Sequence, residues 1–297
     1  MSFNNFQYAV VIPHYNSAKL LDRMLSSIPE RDDLQIVVVD DCSCEKEVSN
    51  LKELRHQNLQ IIYMKENHGA GYARNEGLRH INANWVTFVD SDDMFADDAF
   101  STFDQYVNTD NDMLCYFVKA INGVSHKELR NILHSEFSVR GFYNSHTKKY
   151  EDLFRFRNNV CWNKLVRTEF LKKYHIEFEE CQVNNDVFYT LCIGLHVKKY
   201  QIIPKELYIW IENGDSMTRK PRTIEREFLF YLQAQKRNGF FRYLGLKKYP
   251  FYRSDFLYVL YLLKKRGFAD TICFFRYCKL NRKMIDDAKK EYLKVFE

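Results

Sequence analysis

Glycine and proline are scarce in this 297-residue chain, at 10 and 5 residues, which excludes collagen-like and Pro/Gly-rich low-complexity readings. No run of 18 apolar residues occurs, so no helix is expected to span a bilayer. The opening MSFNNFQYAVVIPHYN has no cationic stretch, and its apolar run is too short for a secretory signal, which predicts a cytoplasmic location. The eight Cys contain no C-x-x-C pair, and only Cys42 and Cys44 lie close together. They read as scattered buried thiols, with no zinc or dithiol redox motif among them. Nucleotide-binding loops of two common kinds are missing as well. No G-x-G-x-x-G follows the first strand-like run, and no G-x-x-x-x-G-K-[ST] occurs anywhere, against a dinucleotide-binding fold and a P-loop enzyme.

What is present is an ordinary folded composition, 46% hydrophobic and 28% charged, with 24 Phe, 20 Tyr and 3 Trp. The length suits one large domain or two modest ones. The net charge of +5 hides a division. Residues 219–297 hold 20 Lys/Arg against 8 Asp/Glu, or +12, which leaves 24 against 31, or −7, for residues 1–218. An acidic body followed by a basic, aromatic tail points to an anionic partner for the tail, a membrane surface or nucleic acid.

Four short apolar runs read as buried strands: Tyr8–Pro13, Leu34–Asp40, Leu59–Met64 and Trp85–Asp90. Their β-branched content without polar alternation suits a parallel sheet covered on both faces. Helical patterns lie between them over Ala18–Ile28, Cys44–His56 and Ala70–Ile81, giving a doubly wound α/β sheet. Further on, Met113–Ala120 and Ile202–Trp210 read as strands, and Thr168–Tyr174 and Asp186–Leu195 as helices. From about residue 222 the chain reads as helices with turns near Asn238-Gly239, Pro250 and Gly267.

Ligands of open α/β sheets bind beyond the carboxyl ends of the strands, where strand order reverses. The first run ends in Pro13-His14-Tyr15-Asn16, the second in Asp40-Asp41-Cys42-Ser43, and the fourth in Asp90-Ser91-Asp92-Asp93; Asn67-His68-Gly69 follows the third. Carboxylates spaced as Asp90-x-Asp92 at a strand end are hard oxygen ligands suited to Mg²⁺ or Mn²⁺. For an isolated pair turn capping is the commoner explanation. Its company changes that balance: a second acidic turn, Arg74 on the intervening helix and an aromatic Tyr15 together offer a base acceptor, a phosphate contact and a stacking face. A nucleoside diphosphate needs that set.

The segments VVIPHYN at 10–16, VVVDDCS at 37–43, NHGAGYARNEGL at 67–78 and FVDSDD at 88–93 resemble, in order and spacing, the donor half of the inverting glycosyltransferase family 2. A weaker resemblance continues through CWNKLVRTEFL at 161–171, FEECQVNNDVFY at 178–189 and LYIWIENGDSMTR at 207–219, leaving the tail unmatched. The resemblance implies a GT-A fold, a Rossmann-like, mostly parallel mixed sheet flanked by helices, here with a helical C-terminal extension. It implies a donor-binding half at 1–100, an acceptor-binding half at 101–219 and a basic aromatic helical region at 220–297. Pro13 and Tyr15 would line the nucleobase pocket, Asp41 would accept from the uracil N3–H with Asp40 beside it, and Asn67, Gly69 and Ser91 would also border the donor. Arg74 would face the diphosphate or support the metal loop. Asp90 would sit by the ribose and the metal, and Asp92 would ligate Mn²⁺ or Mg²⁺.

Asp186 falls where the family places its general base, although the usual Glu-Asp pair is Asn185-Asp186 here; a helix N-terminal Asp favoured by the dipole is the alternative reading. Trp162, Lys164 and Asn185 would contact the acceptor, and Trp210 with residues 215–218 would close over the donor. His14 and Cys42 stand where the family often has an apolar residue and Gly. The implied activity is metal-assisted single displacement from a UDP-sugar onto a glycan or lipid-linked saccharide, in O-antigen, capsule or lipooligosaccharide synthesis. The tail would place the enzyme peripherally at the inner face of the cytoplasmic membrane. A nucleotidyltransferase and a protein binding nucleic acid through its tail are the competing readings; no nucleic-acid partner is expected under the glycosyltransferase reading.

Overall fold

A computed structural model of the chain describes residues 6–129, 134–213, 223–246 and 255–296. Two compact units result, residues 1–216 and 217–297. The first runs β1 (Phe6–His14), α1 (Ala18–Ser26), β2 (Leu34–Asp40), α2 (Glu45–Glu53), β3 (Leu59–Tyr63), α3 (Ala70–His80), β4 (Ala83–Phe88), β5 (Met94–Phe95), α4 (Ala99–Phe103) and β6 (Met113–Asn122). It continues with α5 (His134–Ser145), α6 (Lys148–Arg157), β7 (Lys164–Arg167), α7 (Thr168–Lys173), α8 (Asp186–His196) and β8 (Tyr200–Glu212).

The strands form one eight-stranded sheet in the order β3-β2-β1-β4-β7-β6-β8-β5. Pairs β1–β2, β2–β3 and β1–β4 are parallel, so β1 lies between β2 and β4 and the strand order reverses there. The Val/Ile-rich β1 and β2 are buried along nearly their whole length, the behaviour of strands covered on both faces. On the covering helix α1, Ala18, Leu21, Met24 and Leu25 are the buried stripe.

β8 extends two residues beyond the apolar run Ile202–Trp210 at each end and contains Pro204. The register with β6 passes from Tyr116↔Ile203 to Phe117↔Glu206, a bulge where a residue without an N–H belongs. Close to this irregularity, the Val118 N–H donates to Glu136 of α5 (3.0 Å).

The second unit contains α9 (Ile224–Tyr243), α10 (Asp255–Leu280), α11 (Arg282–Glu291) and a closing 3₁₀ turn (Tyr292–Phe296). Thr223 caps α9, its hydroxyl accepting from the Arg226 N–H at 3.2 Å. Phe228, Leu232, Tyr258, Leu262, Phe274, Ile285 and Ala288 form the core. The turn expected at Gly267 is present, with a left-handed φ of 81° interrupting α10. Pro250 lies outside the described residues. The turn expected at Asn238-Gly239 is absent, and both residues lie within α9. Gly239 serves proximity instead: a Cβ there would overlap the Lys289 carbonyl of α11.

That difference predicts a contrast measurable by chemical denaturation. Gly239→Ala should cost about 1–3 kcal/mol through forced helix separation. Gly245→Ala, at φ 71° with open space around it, should cost only about 1–2 kcal/mol of backbone strain. Gly239→Ala costing less than Gly245→Ala would contradict the close-packing reading.

Candidate active site

The carboxyl ends of β1, β2 and β4 meet at the reversal point, and their side chains are tied into a polar scaffold. His14 and Asp40 pair across the β1–β2 register. Nε2 of His14 accepts from the Ser17 N–H (3.1 Å), which fixes the tautomer, so Nδ1–H donates to Asp40 at 2.8 Å. Burial alone would raise the pKa of Asp40, but bonds from His14 and Ser43 outweigh it and hold the carboxyl below its usual range. Ser43 Oγ also accepts from the Asn16 N–H, and Asn16 Oδ1 accepts from the Cys44 N–H. Between these fixed neighbours Tyr15 projects its ring, 54% exposed, while Pro13 is buried in β1.

Asp41 is buried, and its carboxylate accepts from the backbone N–H groups of His68 (2.8 Å) and Gly69 (2.7 Å). Asn67 returns a bond to the Asp41 carbonyl at 2.9 Å. The turn leading into α3 is thereby fastened to the end of β2, with Gly69 at a φ of 91° that disfavours a side chain.

α3 buries an unusual face: Gly71, Ala73, Arg74, Asn75 and Gly77. Arg74 is the polar centre of the site. Its Nη2 donates to Asp90 (2.5 Å) and its Nη1 to Asn185 (2.8 Å), while its buried Nε has no hydrogen-bond partner among the described residues. Burial opposes its charge, but the carboxylates of Asp90 and Asp186 more than compensate, and its pKa lies above the ordinary value.

Asp186 opens α8, half-buried in its first turn. Burial pushes its pKa up to about 6; Arg74 and Lys164 pull it down and Asp90 pushes it up. A carboxyl with that value changes charge near neutrality, as a general base requires.

Carboxylate oxygens of Asp90, Asp92 and Asp93 all lie within 4.8 Å of one another. Asp93 is committed to the protein, accepting from Tyr208 Oη and the Ile211 N–H, both at 2.7 Å. Tyr208 Oη in turn accepts from the Asp90 N–H at 3.1 Å. Asp92 accepts from Asn213 (3.1 Å), and Arg23 donates to its carbonyl. Burial, then the charge of Asp90, raises the pKa of Asp92; burial, then Asp92 and Asp90, raises that of Asp93 well above the usual range. Crowded hard oxygen donors that repel one another fit a divalent ion of the Mg²⁺ or Mn²⁺ kind, with Asp90 and Asp92 available to hold it. Ser91 lies beside them, its hydroxyl 3.2 Å from that of Ser17.

Trp162 is buried and stacks on Tyr208, ring centroids 5.2 Å apart. Lys164 is buried and directs its ammonium at the carbonyls of Asn158 and Val160 and at Asn163 Oδ1; burial lowers its pKa to about 8. Asn185 takes Arg74. Trp210 lies in β8, and residues 215–218 fall outside the described residues. Asn75, Asp93 and Tyr208 are structural members of the site that motif reading passed over. The run Asp90-Ser91-Asp92-Asp93 was a signal for Asp93; nothing in the spacing marked the other two.

Residues 9–174, more than half of the chain, match the model of glycosyl transferase family 2, and the chain belongs to that family. It is 26% identical over 214 residues to the poly(ribitol-phosphate) beta-N-acetylglucosaminyltransferase TarS of Staphylococcus aureus, covering 69% of this chain and 35% of TarS. It is 27% identical over 245 residues to the GalNAc(5)-diNAcBac-PP-undecaprenol beta-1,3-glucosyltransferase of Campylobacter jejuni, covering 77% of this chain and 72% of that protein. The crystal structure of S. aureus TarS 1-349 in complex with UDP-GlcNAc matches with a TM-score of 0.61 at 24% identity, over 77% of this chain and 65% of that one. The fold is GT-A. The chain spans about a third of the length of the first curated relatives it matches.

The crowding of Asp92 has a measurable sign. A carboxyl whose folded pKa exceeds its unfolded value stabilises the fold below the unfolded value, and that contribution is lost as pH rises through the folded one. In EDTA at pH 7, Asp92→Asn should therefore raise the denaturation midpoint, since Asn keeps the bond to Asn213 and sheds the repulsion. A lowered midpoint would contradict the crowding.

Proposed function

We propose that this chain is an inverting glycosyltransferase that moves a sugar from a UDP-sugar to a saccharide or lipid-pyrophosphate-linked acceptor, with Mn²⁺ or Mg²⁺ at Asp90 and Asp92. One observation carries the reading: buried Arg74 bonds both to the carboxylate turn at Asp90 and to Asn185, the residue before Asp186. The names of relatives agree in kind, TarS being an N-acetylglucosaminyltransferase solved with UDP-GlcNAc, and the Campylobacter protein a glucosyltransferase whose name carries an undecaprenyl-pyrophosphate saccharide.

In this reading Tyr15 stacks on the base and Asp41, held rigid by two backbone donors, has lone pairs left for the uracil N3–H. The acceptor hydroxyl forms the new bond to C1 while the bond from C1 to the diphosphate oxygen breaks. Its proton passes to Asp186, and the electron pair leaves with the phosphate, near the Arg74 guanidinium. A divalent cation in the site supplies further charge stabilisation to the leaving diphosphate. A single displacement with the base on the face opposite the leaving group inverts C1.

Four measurements check this. UDP affinity by calorimetry should fall in EDTA, and Asp92→Asn should abolish turnover; equal affinity with and without EDTA contradicts the metal assignment. Asp186→Asn should lose about 10²–10⁴-fold in kcat and still bind UDP with metal. The base must be ionised to act, so kcat/KM should fall at low pH with a midpoint near the pKa of about 6. A flat profile from pH 5 to pH 8 would place the base elsewhere.

The C-terminal unit supports docking on an anionic membrane surface. No helix among the described residues is long and apolar enough to cross a membrane. While Tyr258, Leu262 and Phe274 of α10 enter the core, Leu257, Leu260 and Leu263, then Phe268, Ile272 and Phe275, stay exposed at helical spacing. Exposed Lys264, Lys265, Arg276 and Lys279 are interspersed with them. Apolar side chains entering the acyl boundary with Lys/Arg toward the headgroups is the pattern of an interfacial helix. The protein should co-sediment with phosphatidylglycerol vesicles at low salt, less so at high salt, and Leu260→Glu with Phe268→Glu should release it. Retention in the supernatant with anionic vesicles at low salt would overturn this part.

A further inference from the structure

Asn75, immediately after Arg74, is buried and makes a contact that the donor chemistry does not use. Its Oδ1 accepts from the Phe178 N–H (2.8 Å) and its Nδ2 donates to the Phe178 carbonyl (3.0 Å). A side-chain amide thus pairs with both backbone groups of one residue, as a neighbouring strand would. The same Nδ2 lies 3.3 Å from Glu180 Oε1. One helical turn earlier on the same face, Gly71 makes room for the loop: a Cβ there would overlap the Glu179 carbonyl and crowd the Cβ of Asn185. The loop closes on itself, the Glu179 N–H donating to the Asn185 carbonyl at 3.1 Å. Asp186 follows directly.

Building on the glycosyltransferase reading above, we infer that Asn75 and Gly71 are positioning residues that hold the Phe178–Asn185 loop against α3 and so fix Asp186 opposite the carboxylate turn. A buried amide is an expensive way to hold a loop unless its geometry is needed, because leaving the partner groups unpaired costs more than an apolar contact would. Tethering by helix residues 71 and 75 makes the distance from Asp186 to Arg74 a property of one rigid helix. Errors of about 1 Å in a catalytic group cost on the order of 10²-fold in rate.

The test compares Asn75→Ala, Asn75→Asp and Gly71→Ala with the wild-type protein. Asn75→Asp keeps the acceptor for the Phe178 N–H and loses the donor, so it serves where Asn75→Ala does not fold. The clamp predicts a kcat lowered by roughly 10- to 100-fold with the calorimetric affinity for UDP and Mn²⁺ within about twofold of wild type. It also predicts faster amide exchange confined to residues 178–187. A kcat within about twofold of wild type, a parallel loss of UDP affinity, or failure of all three variants to fold would overturn it. If wild-type protein transfers no sugar yet its 178–187 amides respond to Asn75→Ala, the functional reading fails while the clamp itself stands.

Discussion

Everything at the head of the sheet depends on one buried cation. Arg74 sits on a helix face with almost no aliphatic character, and its guanidinium bridges the carboxylate turn after β4 and the loop before α8. A buried, unpaired guanidinium would be untenable, and so would the closely placed carboxylates around it; each makes the other affordable. The fork geometry matters, since two nitrogens reach two different elements, which a Lys ammonium could not do with the same directionality.

Around that pivot, the strand ends are immobilised by bonds from side chain to backbone. Asp41 takes the turn at His68-Gly69, Asp93 takes Ile211 of β8, and Lys164 takes the carbonyls of Asn158 and Val160. Each uses an ionisable side chain as a staple, Asp41 and Asp93 between segments distant in sequence and Lys164 within its own loop. Such staples leave Tyr15, and the free side of the Asp90–Asp92 turn, as groups open to a ligand. The C-terminal unit is built differently, from aromatic packing along helices that also leave residues such as Leu257, Leu260, Phe268 and Phe275 exposed.

The sheet was largely legible in the sequence because β1, β2, β3 and β4 are apolar runs ending in short polar motifs, and those motifs fall at the reversal of strand order. β7 and helices α5 and α6 leave no such trace, since Lys164–Arg167 is too short for periodicity and 134–157 mixes charges with its buried Val139, Phe142 and Phe154. Asn238-Gly239 misled because Gly at a helix crossing and Gly in a turn look alike locally. In the site, the motif residues lie at the carboxyl ends of β1, β2 and β4. The supporting bonds of Asn75 and Tyr208 span 103 and 115 residues and leave no local trace. The internal commitment of Lys164 was equally invisible, as burial cannot be read from a lone Lys.

The most direct test of the account is Arg74→Met, read out in two ways on the same preparation. If Arg74 joins the two halves of the site, its loss should weaken Mn²⁺-dependent UDP binding and also move the acid limb of kcat/KM upward from about 6, because Asp186 loses the cation that lowers its pKa. A variant in which donor affinity falls while the acid limb stays in place, or the reverse, would show that the two stations act independently and would contradict the account.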